Sequence, residues 1–320
     1  MIEINELTKT FGSHTVVDHL NLKIQPGEIY GFLGPNGAGK TTTLMMIMGV
    51  LKPDGGEARL FGKRMFEDPF GIRNQIGMVA ESLNFYDEMT ALEYLQFFAR
   101  LYQVPEPQKR IQELLEKMNL WQWHDVLVGG YSTGMRRKLG VIRGLLHSPR
   151  LLILDEPVSG LDPFGIVQIR QLLLEEKARG TTILISSHIL SEVERTADRV
   201  GIIAKGRLVV EDSMDRIRQD AAGKRQIEIE MVNQDARLLP ALQALPFVTG
   251  VASRNEQTLI IDTLADREYR ADLGIELAAR GVVLQGMKAL EASLEEAFIT
   301  LTESYVEDLK QDRLGGKEQE

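Results

Sequence analysis

The chain has 320 residues, is 43% hydrophobic and 26% charged, carries a formal charge of -9 and contains no cysteine. That length allows about two domains of roughly 150 residues each, and the composition is that of a folded, soluble globular protein. The acidity argues against a nucleic-acid partner, which needs a basic face against phosphate. The lack of cysteine excludes a disulfide scaffold and thiolate metal sites, and fits a reducing compartment.

Met1-Ile2-Glu3-Ile4-Asn5-Glu6 brings in acids early and has no apolar stretch, so no secretory signal is expected. No run approaches the ~18 consecutive apolar residues of a spanning helix. A role at a membrane would leave the spanning to another chain. From Met1 to about Glu211, apolar strands alternate with helical stretches, the pattern of an α/β domain with a largely parallel sheet. Glu28 to Leu33 reads as a buried strand, then a glycine-rich turn, then a helix from Lys40 to Val50 whose Met45-Met46-Ile47-Met48 run reads as core. A mostly helical insert spans about 90–147. Its amphipathic pieces run from Ala91 to Tyr102 and from Gln108 to Met118, separated by Pro105 and Pro107. Leu151 to Leu154 and Thr182 to Ser187 read as further buried strands.

After Glu211 the texture changes, and residues 212–320 are expected to form a smaller α+β domain. Gln226 to Val232 alternates like a half-buried strand. A helix from Ala236 to Leu245 comes next, then strands Val248 to Ser253 and Thr258 to Thr263, a helix Arg267 to Ala279 and a strand Val282 to Met287. That order, βαββαβ, is the ferredoxin-like arrangement. A last helix is expected to carry Leu290, Leu294, Phe298, Leu301 and Tyr305 near one face, ahead of a charged tail from Gly315 to Glu320.

Gly34-Pro35-Asn36-Gly37-Ala38-Gly39-Lys40-Thr41 fits G-x-x-x-x-G-K-[ST] at every fixed position, with Thr42 immediately after. Glycines let backbone N–H groups turn inward around phosphates, and the next helix points its positive end at them. In such a cradle Lys40 reaches the β- and γ-phosphates and the Thr41 hydroxyl holds Mg²⁺. Leu151-Leu152-Ile153-Leu154-Asp155-Glu156 ends a buried strand in two acids, where open α/β sheets keep their ligand sites. Asp155 suits the Mg²⁺ shell through water, and Glu156 suits the base that orients an attacking water. His188 closes another strand and suits a fixed donor to the γ-phosphate. His14, His19, His124 and His147 lack metal-ligand spacing and read as surface or capping residues. Arg136-Arg137-Lys138 reads as a solvated helix face, and Trp121 and Trp123 as packing at a helix end.

These pieces, in this order, resemble the ATP-binding-cassette (ABC) ATPases over about Met1 to Glu211. Tyr131-Ser132-Thr133-Gly134-Met135 resembles that family's signature, usually Leu-Ser-Gly-Gly-Gln. The resemblance implies that Ser132, Thr133 and Gly134 reach the γ-phosphate held by a partner subunit, and that Ser159-Gly160-Leu161-Asp162 communicates between subunits. It also implies that Phe11 stacks on adenine. Three positions depart from the pattern. Glu81 stands where glutamine is common, in the loop linking nucleotide to the membrane subunit, and keeps the capacity to ligate Mg²⁺; Thr133 replaces glycine and Met135 glutamine. The resemblance further implies an ATP- and Mg²⁺-dependent ATPase acting as a homodimer. It would lie in the cytoplasm on the inner face of the membrane and energise a separate multi-spanning subunit of a bacterial exporter. A soluble cassette acting on ribosomes or chromosomes, or a regulatory subunit with weak hydrolysis, is the alternative.

Overall fold

The computed structural model describes residues 1–217, 225–232, 238–255, 257–264 and 267–290. Leu290, expected in the terminal helix, instead ends the last described strand, where it pairs with Gln226; the rest of that expected helix and the charged tail lie outside these residues. The chain divides into two compact units between Met214 and Asp215.

In the first unit, β1 (Ile2–Phe11) and β2 (His14–Ile24) form a hairpin, and β3 (Ile29–Leu33) runs into the glycine-rich turn and α1 (Lys40–Ile47). β4 (Gly55–Leu60), β5 (Lys63–Arg64), α2 (Pro69–Arg73) and β6 (Ile76–Val79) come next. A helical subdomain then comprises α3 (Ala91–Leu101), α4 (Pro107–Lys117) and α5 (Thr133–Leu145), with short 3₁₀ turns at Trp121–Trp123 and Val128–Gly130. The chain returns through β7 (Leu151–Asp155), α6 (Pro163–Ala178), β8 (Thr182–Ser187), α7 (Leu190–Glu194), β9 (Arg199–Ala204) and β10 (Arg207–Ser213).

The strands form two sheets rather than one. Strands β9-β3-β8-β7-β6 are parallel neighbours, with β10 antiparallel at one edge. The first strands instead build a separate antiparallel sheet in the order β2-β1-β4-β5. The two-residue link between β1 and β2, with Gly12 at φ 59°, permits an antiparallel return and is far too short for the crossover a parallel pair needs. Alternate residues of β7 serve opposite faces. Leu151 and Ile153 join a core with β1, β3 and α1, while Leu152 and Leu154 join the core shared with the helical subdomain.

The helices start where local chemistry allows. Thr90 and Glu93 form a reciprocal capping box at α3, and Pro107 occupies the first turn of α4. Several sequence expectations change here. Met46, Ile47 and Met48 are core, but Met45 is 40% exposed. Trp121 packs against the core in a 3₁₀ turn and stacks on His124 at 4.3 Å, whereas Trp123 faces solvent. His147 is not a surface residue. Its ring stacks on Tyr102 at 4.1 Å, its Nε2 lies 3.1 Å from the Ile76 carbonyl oxygen, and burial pushes its pKa down.

The second unit has strands β11 (Arg225–Met231), β12 (Val248–Asn255), β13 (Thr258–Thr263) and β14 (Leu284–Leu290), ordered β12-β13-β11-β14 with every neighbour antiparallel. Helices Leu238–Gln243 and Arg270–Ala279 complete the βαββαβ order. Ile227, Ile229, Leu259 and Ile261 meet Leu242, Leu273 and Leu277 in its core. Glu228 pairs with Lys288 and Arg254, which hold its carboxyl below the usual range.

Candidate nucleotide site

Strand β3 is buried throughout and delivers the chain to a turn in which side chains have no room. A Cβ at Gly34 would come within 2.4 Å of the Ile203 carbonyl oxygen, and one at Gly39, already at φ 108°, within 2.7 Å of the Val16 carbonyl oxygen. Glycine is therefore required at both positions. The turn is closed by Ala38 N donating to the Pro35 carbonyl at 3.1 Å. Lys40 opens α1 buried, its Nζ donating to the Gly34 carbonyl at 2.6 Å and lying 3.7 Å from Glu156 Oε1.

The strand-end acids arrive beside this turn because β7 lies one strand away from β3, across β8. Thr41 Oγ1 donates to Asp155 Oδ2 at 2.9 Å. Ser186 Oγ donates to the other oxygen, Oδ1, from the position that faces Asp155 across the β7–β8 ladder. Ser186 was not singled out from sequence. Its role depends on register between two strands far apart in the chain, and the only local signal was its place at the end of an apolar run. Glu156 bends away at φ 50°, an uncommon conformation for a residue with a side chain. Its Oε2 meets His188 Nδ1 at 2.9 Å.

These groups wall a cavity of about 350 Å³. From the sequence-derived set it brings together Asn36, Gly37, Gly39, Lys40, Thr41 and Thr42 with Glu81, Glu156 and His188. Val16 and Ser159 complete the wall; Ser159 belongs to the loop expected to communicate between subunits, whereas Val16 was missed because it sits in an ordinary strand context. Asp155 lies just beneath, 2% exposed. Phe11 stands half-exposed at the end of β1, with Lys9 Nζ 5.4 Å from its ring centroid, and is not part of this wall. Ser132, Thr133 and Gly134 also lie outside it, at the start of α5, where Ser132 Oγ accepts from Met135 N at 3.2 Å.

The Glu81 loop is anchored by a residue whose surroundings correct the sequence reading. Arg137 is not solvated but 8% exposed. It donates through Nη1 to the Ala80 carbonyl at 3.1 Å and through Nη2 to the Glu81 carbonyl at 2.9 Å. Burial lowers its pKa, partly offset by Glu81, Asp155 and Glu156. Lys138 also points inward, donating to Gln168 Oε1 at 2.5 Å. Arg136 pairs with Asp87 at 2.9 Å.

The cation chemistry is that of hard oxygen donors. A hydroxyl and a carboxylate already meet at Thr41 and Asp155, with Glu81 in the cavity wall. Among the described residues there is no cluster of three or more acidic, histidine or cysteine ligands. That set fits Mg²⁺, which takes one or two protein oxygens and fills its shell with phosphates and water.

Residues 17–159 match the family model described as ABC transporter. The bacitracin transport ATP-binding protein of Bacillus licheniformis is 43% identical over 236 residues, 73% of this chain and 76% of that protein. This chain belongs to the ABC transporter ATP-binding proteins. The cassette is thus an ATP-binding subunit and an ATPase of the transport class. The daunorubicin resistance ATP-binding protein of Streptomyces coeruleorubidus is 31% identical over 94% of this chain and 95% of that one, so the likeness extends into the second unit. A solved ATP-binding subunit of an ABC transporter aligns with a TM-score of 0.65 and 32% identity, over 69% of this chain and 92% of that one. No helix among the described residues is long and apolar enough to cross a membrane.

Proposed function

We propose that the cassette hydrolyses MgATP as a homodimer with composite sites, and drives a separate membrane-spanning subunit that exports its cargo. The observation that carries the reading is the convergence of Lys40, Thr41, Asp155, Glu156 and His188 on one cavity. ATP is held by the backbone N–H groups of residues 34–42 and by Lys40. Thr41, Asp155 and Glu81 are the residues that would hold Mg²⁺, which would supply charge neutralisation at the phosphates. Glu156 accepts a proton from the attacking water as its oxygen adds to the γ-phosphorus and the bond to the ADP oxygen breaks. His188 orients the Glu156 carboxylate and offers its other ring nitrogen toward the phosphate. Phe11 supports the adenine from its exposed position. Ser132, Thr133 and Gly134 serve the nucleotide of the second copy, with the positive end of α5 behind them.

A second cavity of about 310 Å³ supports a membrane partner. It lies between the sheet core and the helical subdomain, with Met48, Val50, Met65, Met78, Phe98 and Tyr102 in its wall. Val50, in that wall, exposes 69% of its surface, and exposed apolar surface beside a cavity marks protein contacts. A seat there for the membrane subunit keeps the cassette at the inner, cytoplasmic face of the membrane. The names of the bacitracin and daunorubicin relatives support export. Residues after Met214 are assigned as an accessory domain.

Glu156→Gln tests the chemistry. It retains ATP binding, lowers turnover by at least about 10²-fold and accumulates an ATP-bound dimer in size-exclusion chromatography. Turnover at the wild-type rate would remove Glu156 from the mechanism.

A further inference from the structure

Strand β14 ends the sheet of the second unit and, among the described residues, has a neighbouring strand on one side only. Two hydrogen bonds fix which way its backbone groups point. Met231 N donates to the Gln257 carbonyl, on the β13 side, at 2.8 Å, and Val232 N to the Val283 carbonyl, on the β14 side, at 3.0 Å. Successive residues of a strand alternate in this respect, so Gln226, Glu228 and Glu230 turn their backbone groups to Leu290, Lys288 and Gly286. Gln285, Met287 and Ala289 therefore aim their N–H and C=O groups outward, and Gln285 and Ala289 are exposed. Exposed edges are normally blunted by bulges, charges or proline. The opposite edge, β12, slips in register at both of its ends. β14 keeps an unbroken register from Gly286 to Leu290 and has no proline. Its one charge, Lys288, bends back across the ladder to Glu228 at 2.7 Å.

We propose that this edge pairs with β14 of a second copy, antiparallel about a twofold axis at Met287, and joins the two sheets into one. The strand is complementary to itself in that register. Gln285 faces Ala289, Leu284 faces Leu290 and Lys288 faces Gly286, so the whole of β14 is used. An axis at Lys288 would set two like charges directly opposite, which destabilises a pair. An axis at Gly286 would carry Ala289 and Leu290 past the start of the partner strand. With the axis at Met287, Lys288 of each copy lies over Gly286 of the other, beside Glu230. Gly286 has no side chain to block that reach: a Cβ there would stand 3.5 Å from Glu230 Oε2. Glu230 has no ion pair among the described residues, so the pairing supplies it with a cation. The contact is isologous, as a twofold interface requires. It uses only the second unit and is independent of the composite nucleotide site.

The chain has no cysteine of its own, so disulfide trapping of the nucleotide-free, full-length protein tests the register. Gln285→Cys and Ala289→Cys are made in separate chains and oxidised alone or mixed. The mixture should give a disulfide-linked dimer on a non-reducing gel. Opposed hydrogen-bonded residues have Cα atoms about 5.5 Å apart, inside the span of about 4.4–6.8 Å that a disulfide bridges. Either chain alone should stay monomeric on that gel, because its two copies of the cysteine would lie about 13 Å apart along the strands. Equal cross-linking of a single variant, or none in the mixture, overturns the proposal. Ala289→Pro removes an outward N–H and no bond to β11. It should keep the wild-type Tm and lose the nucleotide-free dimer in sedimentation velocity; a lowered Tm, or sedimentation identical to wild type, also overturns it. No nucleotide is present in either assay, so failure here leaves the reading of the nucleotide site standing, and failure of Glu156→Gln leaves this one standing.

Discussion

Arg137→Met removes a guanidinium that ties the signature helix to the loop carrying Glu81. Two hydrogen bonds are lost, to the carbonyls of Ala80 at 3.1 Å and Glu81 at 2.9 Å. Bonds from a charged donor contribute about 1.5–3 kcal/mol each, so about 3–6 kcal/mol is at stake. Methionine keeps the packing of the aliphatic stem and relieves the desolvation of a cation whose pKa burial has already pushed down, which offsets about half. The net loss is about 1.5–3 kcal/mol. A unit of this size loses about 2–4 °C of Tm per kcal/mol, so the first unit should melt about 3–12 °C lower. Differential scanning calorimetry of the full chain reads this directly. Arg137→Lys recovers only part, because an ammonium cannot span two carbonyls as a planar fork does. The freed Glu81 loop should also raise half-saturating ATP. A residue on a solvated face would change stability by no more than about 0.5 kcal/mol. A Tm for Arg137→Met within about 1 °C of wild type would therefore refute the anchoring argument.

The Tyr131 hydroxyl donates to the Trp123 carbonyl at 2.8 Å, and burial pushes its pKa from 10.0 up to about 12. Between those values the unfolded chain has lost the proton and the folded chain keeps it. This stabilisation is complete below about pH 10 and is lost as pH rises toward about 12; Tyr131→Phe should flatten that part of a urea-unfolding profile, and identical slopes would refute it. A chain ending at Met214 should still bind ATP in equilibrium dialysis, because the nucleotide cavity is walled entirely by the first unit; loss of binding would deny that unit its independence. If the proposed membrane partner seats on the second cavity, Val50→Asp should reduce its co-purification about tenfold, equivalent to about 1.4 kcal/mol, without lowering the Tm of the isolated chain. Undiminished recovery would move the docking surface elsewhere.

Much of the site was legible because its chemistry is local. The glycine spacing, Lys40 and Thr41 occupy one strand–turn–helix, and the two acids end one buried strand, so short-range sequence carries both. The βαββαβ order of the second unit was legible for a similar reason: each element has its own periodicity, and only the β12-β13-β11-β14 order awaited long-range pairing. The separate antiparallel sheet, the inward turn of Arg137 and Lys138, and the Ser186–Asp155 bond were not legible. Each depends on which distant segment lies alongside. A basic triplet has the same composition whether water or the carbonyls of Ala80 and Glu81 satisfy its donors, and a serine has the same neighbours whatever strand it faces. Sequence by itself determined the glycine turn with Lys40 and Thr41 and the two acids at a strand end. Tertiary structure decided what holds them in register, since burial and cross-strand distance are properties of the assembled chain.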